Sequence, residues 1–342
     1  MSFVAESLDP TPQRPLRIGL LGCGVVGTPV AAALLDEGAG LAHAAGVRLE
    51  LARVAIAHPA KPRAVALPTE LVTTDAVAVA IDPDIDIVIE VIGGIDPPLA
   101  ALRAALGDNK SVVTANKELL ARSGCELFAD PRAEIFYEAA VCGAIPIVRS
   151  LREACAGDEI TCITGILNGT SNYVLWRMTE SGCSQDEAVE EARHLGYAEA
   201  DHRTDIDGSD AAAKLAVLAR TAFGVAAHVD DVARLGIGHI DEGAVAAATR
   251  AGLVYKLVGT ARRTGTGVEL SVRPTLIGAD HPLARVNGAD NAVLVDARKA
   301  GRLSFSGAGA GGPATASAVL GDVVAAARRR VERRSPQPAC LG

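Results

Sequence analysis

LRIGLLGCGVVGTPVAAALLDEG (residues 16–38) runs from an apolar segment, Leu16 to Leu21, into Gly22-Cys23-Gly24-Val25-Val26-Gly27 and then at once into an Ala/Leu/Val-rich segment. Strand, glycine turn and helix in that order form the setting of a dinucleotide fingerprint. The first glycine makes the tight turn, the second lets backbone approach a pyrophosphate, and the third allows close helix–strand packing. Free N–H groups at the helix start then face the anion. The bland reading is a glycine-rich turn in some other βαβ unit; the placement near the N-terminus favours a nucleotide. Gly22, Gly24, Val25, Val26 and Gly27 are therefore expected cofactor contacts.

Outward from this unit, RLELARVAIA (48–57) reads as the second strand. An NAD-specific site usually ends this strand on a carboxylate for the ribose hydroxyls. Here it ends Ala57-His58-Pro59, with Lys61 and Arg63 close behind. Two cations suit a 2′-phosphate and lean toward NADP; the alternative is two ordinary loop charges. DPDIDIVIEVIGG (82–94) reads as a buried strand, Ile85 to Ile92, and Gly93 lets backbone lie against a nicotinamide or ribose. SVVTANKELLA places Asn116 and Lys117 at the C-terminal edge of the sheet, where doubly wound folds bind ligands. EIFYEAAVCGAIPIV is expected to begin as another strand. Its lone charge, Glu138, is either hydrogen-bonded to backbone N–H groups or a cation ligand.

From ITCITGILNGTSNYVLWRM the pattern changes to a β-rich run, Ile160 to Leu167, then a helix with Ser171 or Asn172 as its cap. Ser184-Gln185-Asp186-Glu187 is a capping box. The helix it opens leads to GYAEADHRTDIDGSDAAAK (196–214), which gathers Glu199, Asp201, Asp205, Asp207, Asp210 and Lys214 ahead of a helix too apolar to carry idle charges. Asp210 and Lys214, four apart, share one face. Val254 to Ala261 and Val268 to Pro274 alternate as a hairpin, further strands follow, and Gly307 to Gly312 opens a last helix. Antiparallel strands of this kind suggest a homodimer.

The 342 residues, 49% hydrophobic, suit two or three lobes. A net charge of −8 argues against nucleic acid, and no eighteen-residue apolar run suggests a membrane span. Seven scattered cysteines without a CxxC spacing point to a reducing cytoplasm, and the N-terminus lacks a secretory signal's apolar core.

LGCGVVG, IEVIGG, VVTANKELLA, YEAAVCGAIPI, ILNGTSNYVL, EARHLGYAEADHRTDIDGSDAAAKLAVLA, HPLARVNGADNAV and GAGAGG followed by TASAV occur in this order. Together they resemble the homoserine dehydrogenases over about residues 16–325. The resemblance implies an α/β chain: a Rossmann-like NAD(P)-binding domain, 16–135, completed by helix 308–334, and an α+β catalytic and dimerisation domain, 136–307. Within the latter, 147–254 would be the substrate lobe, and the 136–146 strand with 255–307 the dimerisation sheet. Residues 1–15 and 335–342 would be flexible termini. The implied reaction interconverts L-homoserine and L-aspartate 4-semialdehyde with NAD(P), toward threonine, methionine and isoleucine. Many bacterial relatives carry a C-terminal ACT domain; none is expected here.

Carried over by motif, Lys214 is the proton donor/acceptor and Lys117 its partner near nicotinamide and substrate. Glu199, Asp205 and Asp210 are substrate-binding acids, and Gly93, Lys117 and Gly309 join the fingerprint in holding cofactor. Glu138 with the carbonyls of Val141, Gly143 and Ile145 matches a monovalent-cation site, for sodium. Ala57-His58 departs from a frequent Arg-Asp, which leaves NAD against NADP open; Ala314 stands where Pro is common. A neutral lysine must take the hydroxyl proton as hydride departs, so oxidation is expected to speed up with pH. Two other readings remain: a paralogous dehydrogenase for a related amino or hydroxy acid, and an idle NAD(P)-binding sensor.

Overall fold

Six short apolar segments build the first sheet, and their β-branched content with burial on both faces is what an all-parallel sheet requires. In the computed structural model, which describes residues 14–198 and 201–334, they are β1 (Leu16–Leu21), β2 (Leu49–Ala55), β3 (Val72–Thr73), β4 (Ile87–Glu90), β5 (Ser111–Thr114) and β6 (Ile135–Phe136). All pair in parallel, in the order β3-β2-β1-β4-β5-β6. The order reverses between β1 and β4, so a crevice opens beyond their C-terminal ends. Residues 22–27 follow β1 there, and residues 91–94 follow β4.

The closing helix, Gly312–Arg334, returns to this sheet from the far end of the chain. Its Ala316, Val319, Val323, Ala326 and Ala327 pack with Leu16, Ile18, Leu20, Ile87 and Ile89.

The second sheet, β12-β11-β7-β9-β10-β8, comprises β7 (Ile160–Ile166), β8 (Ala233–Arg234), β9 (Leu253–Arg263), β10 (Val268–Gly278), β11 (Asp290–Ala297) and β12 (Gly301–Ala308). All of its pairs are antiparallel except β10 with β8. The 253–278 hairpin is in place. Two expectations are corrected. Of the 136–146 stretch only Phe136 is strand, and it pairs with β5 of the first sheet. Glu138 to Ala140 is instead a short 3₁₀ turn. The Ile160–Ile166 run, placed by resemblance in a substrate lobe, is a central strand between β11 and β9.

Helices Gly169–Ser181 and Ser209–Phe223 pack on this second sheet. The latter, SDAAAKLAVLARTAF, is rich in strong helix formers and buried over most of its circumference, ending at Gly224 in the left-handed region. It also lies against helix Lys117–Leu127, which follows β5. One apolar cluster is thereby continuous from Val88 and Val112 through Val141 and Ile147 to Leu215 and Val293.

Candidate active site

The turn after β1 has the shape the fingerprint demands. Gly22 adopts φ +96°, and a Cβ there would stand 2.8 Å from Val91 O; a Cβ at Gly27 would collide with Gly22 O. Around Gly24, by contrast, nothing lies within 4 Å of where a Cβ would sit, so the backbone is open to a ligand. Helix Gly27–Asp36 begins without a side-chain cap, which leaves N–H groups for an anion. The cleft above, about 920 Å³, is lined by Gly22 to Val25, Ile92, His58, Lys61, Arg63, Gly312 and Pro313. Val25 is 80% exposed on this cleft, whereas the Val26 side chain turns into the core beneath.

Arg63 braces this turn. Its Nε donates to Cys23 O at 3.0 Å, Nη2 to His58 O at 3.0 Å and Nη1 to Lys61 O at 2.7 Å. The guanidinium thus folds the 58–63 loop back onto the glycine turn.

Beyond β4, the fully buried Glu90 organises the next loop. Its Oε1 accepts from Ile92 N (2.9 Å) and Gly93 N (3.1 Å), and its Oε2 from Thr114 Oγ1 (2.6 Å). Asn116 Nδ2 donates to Gly94 O at 2.7 Å, while Asn116 Oδ1 caps the helix that Lys117 opens. Burial raises the Glu90 carboxyl despite these donors. Sequence reading passed over Glu90, although a lone carboxylate ending an apolar strand was a visible signal.

The charged centre lies where the two sheets' helices meet. Lys214 Nζ pairs with Asp210 Oδ2 at 2.8 Å, and Lys117 Nζ with Asp210 Oδ1 at 3.0 Å. Lys214 also donates to Leu167 O at 2.8 Å. Asn168 Nδ2 donates to Asp205 Oδ1 at 2.6 Å and to Asp210 Oδ2 at 2.9 Å. Burial opposes the Asp210 charge, yet Lys214, Lys117 and Asn168 hold its carboxyl far below the usual carboxylate range. Burial raises the Asp205 carboxyl, reinforced by the Asp210 charge and partly offset by Asn168. A pocket of about 560 Å³ opens over these groups, lined also by Thr170, Tyr197, Ala289, Asp290 and Gly309.

Lys214, Lys117, Asp210 and Asp205 are therefore brought together. Glu199 lies outside the described residues. Gly309 lines this pocket, and Gly312 instead reaches the glycine-turn cleft. Gly93 faces Lys117 and Asp210 across a neighbouring hollow. Asp201 pairs with Arg203, and Asp207 Oδ1 accepts Ser209 N at 2.8 Å. Sequence reading did not single out Asn168, Thr170 or Tyr197. The cap of helix Gly169–Ser181 is Asn168, not Ser171 or Asn172, because Asn168 keeps extended backbone and accepts Ser171 N at 2.7 Å.

Glu138, 2% exposed, accepts Val148 N (2.6 Å) on Oε1 and Arg149 N (2.9 Å) on Oε2; Arg149 Nε lies 3.3 Å from Oε2. Of the carbonyls grouped with it, that of Ile145 accepts Ile147 N at 2.8 Å.

Residues 22–136 match the family profile "Homoserine dehydrogenase, NAD binding domain", and residues 146–324 match "Homoserine dehydrogenase". The homoserine dehydrogenase of Corynebacterium glutamicum is 46% identical over 96% of this chain and 76% of its own length. That of Bacillus subtilis is 42% identical over 91% and 73%. The crystal structure of the Thiobacillus denitrificans enzyme superposes with a TM-score of 0.89 at 40% identity, covering 96% of this chain and 78% of that one. A hyperthermophilic archaeal homoserine dehydrogenase solved with NADPH gives 0.77 at 26% identity, covering 95% and 99%.

Proposed function

The chain belongs to the homoserine dehydrogenase family, and from that membership we propose how its residues divide the work. It is an NAD(P)-dependent oxidoreductase acting on a CH–OH group, interconverting L-homoserine and L-aspartate 4-semialdehyde. The observation that carries the proposed roles is the Lys214–Asp210–Lys117 chain, at 2.8 and 3.0 Å.

Bound NAD(P) supplies hydride acceptance and return at its nicotinamide. The open backbone at Gly24 and the uncapped helix start fit a pyrophosphate beside Gly22 and Val25, with Val26 and Gly27 supplying main chain beneath. Gly93, Lys117 and Gly309, on the neighbouring hollow and the charged pocket, would meet the nicotinamide end. In oxidation, neutral Lys214 takes the homoserine hydroxyl proton as the C–H electron pair leaves with its hydrogen; in reduction, the Lys214 ammonium returns that proton to the forming alkoxide. Asp210 fixes both lysines rather than meeting the substrate amine alone, since both its oxygens are already engaged. Glu199 and Asp205 then hold the amine, and Lys117 the carboxylate. Excluding water from this buried centre strengthens each of these contacts.

Finer assignments follow the same reading. NADP is favoured through Lys61, with Arg63 shaping the loop that presents it. A sodium ion would be held by Glu138 with the carbonyls of Val141, Gly143 and Ile145, stiffening the turn between the sheets. Glu138 Oε1 and the Val141 and Gly143 carbonyls retain acceptor capacity for it. The chain divides at about residue 135 into a nucleotide-binding unit completed by the last helix and a catalytic unit, 136–307. The second sheet joins two copies into a homodimer; its β10 carries the exposed Leu276. Six described cysteines are free thiols, which suits the cytoplasm. Among the described residues, no helix is long and apolar enough to cross a membrane.

The test is oxidation of L-homoserine by purified protein with NADP⁺ against NAD⁺, followed as nicotinamide absorbance. Turnover with homoserine and a lower KM for NADP⁺ are expected. No turnover with homoserine but activity on another amino alcohol would reassign the substrate.

A further inference from the structure

Lys256, in β9, is 2% exposed, and among the described residues it has no carboxylate partner. Its ammonium donates to Asn172 Oδ1 at 3.1 Å and to Val286 O at 2.5 Å. Asn172 is itself fully buried, in the first turn of helix Gly169–Ser181. Its Nδ2 faces three main-chain carbonyls of one segment: Val286 at 3.0 Å, Gly288 at 2.9 Å and Asp290 at 3.4 Å. A buried ammonium without a counter-charge is costly, and burial pushes Lys256 down to about 8. The mechanism above does not use it.

The carbonyls explain why it is there. Residues 286–290 turn acceptors inward, and buried acceptors need donors. One amide NH₂ offers two hydrogens to three carbonyls, so one of the three needs another donor, and Lys256 provides it at Val286 O. Lys256 also satisfies Asn172 Oδ1, which would otherwise be left without a partner.

The segment so held is a wall of the charged pocket. Ala289 and Asp290 line it opposite Lys214, Asp205 and Asp210. Ala289 O presses so closely on Gly169 that a Cβ at Gly169 would stand 2.5 Å from it. Gly169 follows Asn168, which ties Asp205 to Asp210. Displacement of 286–290 therefore reaches the substrate acids through one residue.

We infer that Lys256 and Asn172 are positioning residues that clamp the Val286–Asp290 wall of the substrate pocket. This rests on the pocket being the homoserine site. Neither side chain touches the reacting atoms; they act through the wall.

Two variants test it in the full chain. Lys256→Met keeps length and removes the charge and its donors. Asn172→Asp keeps an acceptor for Lys256, and adds attraction to it, but removes the donor to the carbonyls. Both are expected to lower kcat/KM for homoserine by ~10- to 100-fold, the scale of a small misplacement at a reacting centre. The loss should fall mainly on the homoserine KM, with the NADP⁺ KM little changed. Backbone amide hydrogen exchange should quicken within residues 286–290 and not across the first sheet. A role in folding alone would lower the melting temperature without separating the two KM values, and would let Asn172→Asp match wild type through its stronger pair with Lys256. Unchanged homoserine KM and unchanged exchange at 286–290 in either folded variant would overturn the inference. If wild-type protein oxidises no homoserine, the substrate reading fails instead, and the exchange result still decides the clamp.

Discussion

Replacing Asp210 with Asn perturbs a carboxylate that, among the described residues, both active-site lysines share. Its oxygens lie 2.8 Å from Lys214 Nζ and 3.0 Å from Lys117 Nζ. At an effective dielectric of about 20, each pair represents about 6 kcal/mol of gross attraction. The Lys117 side chain is 42% exposed and can rehydrate, so its share is much smaller. Lys214, 10% exposed, cannot escape, and breaking a buried pair by removing one partner costs about 3–5 kcal/mol. Asparagine also presents an NH₂ to one of the two ammoniums. If most of that loss falls on the transition state, kcat/KM for homoserine should drop by about 100- to 1,000-fold, since each ~1.4 kcal/mol is tenfold. NADPH binding, followed by fluorescence titration, should fall far less than kcat/KM, because Asp210 does not line the glycine-turn cleft and reaches the cofactor only by way of Lys117 and the Gly93 hollow.

The same substitution has a pH signature. The Asp210 carboxyl is depressed in the folded protein, so its stabilisation is complete above the ordinary value of 3.8 and fades as pH falls below it. The stability deficit of Asp210→Asn should therefore be full at neutral pH and shrink in strong acid, as measured by urea unfolding. A variant that keeps kcat/KM within about threefold of wild type would refute the idea that Asp210 links the lysines.

Other perturbations read different parts of the site. Gly27→Ala drives a Cβ into Gly22 O; it should destabilise by about 1–3 kcal/mol and raise both cofactor KM values, measured by thermal melts and kinetics. Glu90→Gln keeps an acceptor for Ile92 and Gly93 N–H while removing a charge that burial disfavours. Because the Glu90 carboxyl is raised in the folded state, its cost grows as pH rises above its ordinary range. The variant's stability relative to wild type should therefore improve from pH 4 toward pH 8 in denaturant titrations. Arg63→Ala should raise KM for NADP⁺ and NAD⁺ alike, since Arg63 braces the loop onto Cys23 O, whereas Lys61→Ala should raise only that for NADP⁺.

What could be read in advance was local. The glycine turn and the Asp210–Lys214 pair each depend on spacings within a few residues, where strand, turn and helix geometry are fixed. The Lys117–Asp210 contact was not visible in spacing. It needs helix Lys117–Leu127 to pack on helix Ser209–Phe223, a tertiary fact of which the family resemblance implies only that Lys117 lies near Lys214. Ile160–Ile166 has the composition of a strand, but nothing local says that it pairs with β9 and β11. Asn172 is, with Ser171, one of two cap candidates because caps favour such side chains; its amide is instead drawn inward by three carbonyls more than a hundred residues away in sequence. Glu138 shows the same limit: the sequence left backbone N–H groups and a cation as alternatives, and the fold supplies Val148 and Arg149 N–H.

The central claim, proton transfer at Lys214, meets its most direct test in Lys214→Met, which preserves length and removes the amine. Homoserine oxidation and semialdehyde reduction should both fall by on the order of 1,000-fold, within the range expected for a general acid–base group, while NADPH still binds with wild-type affinity. Turnover within about tenfold of wild type, with NADPH bound normally, would contradict it.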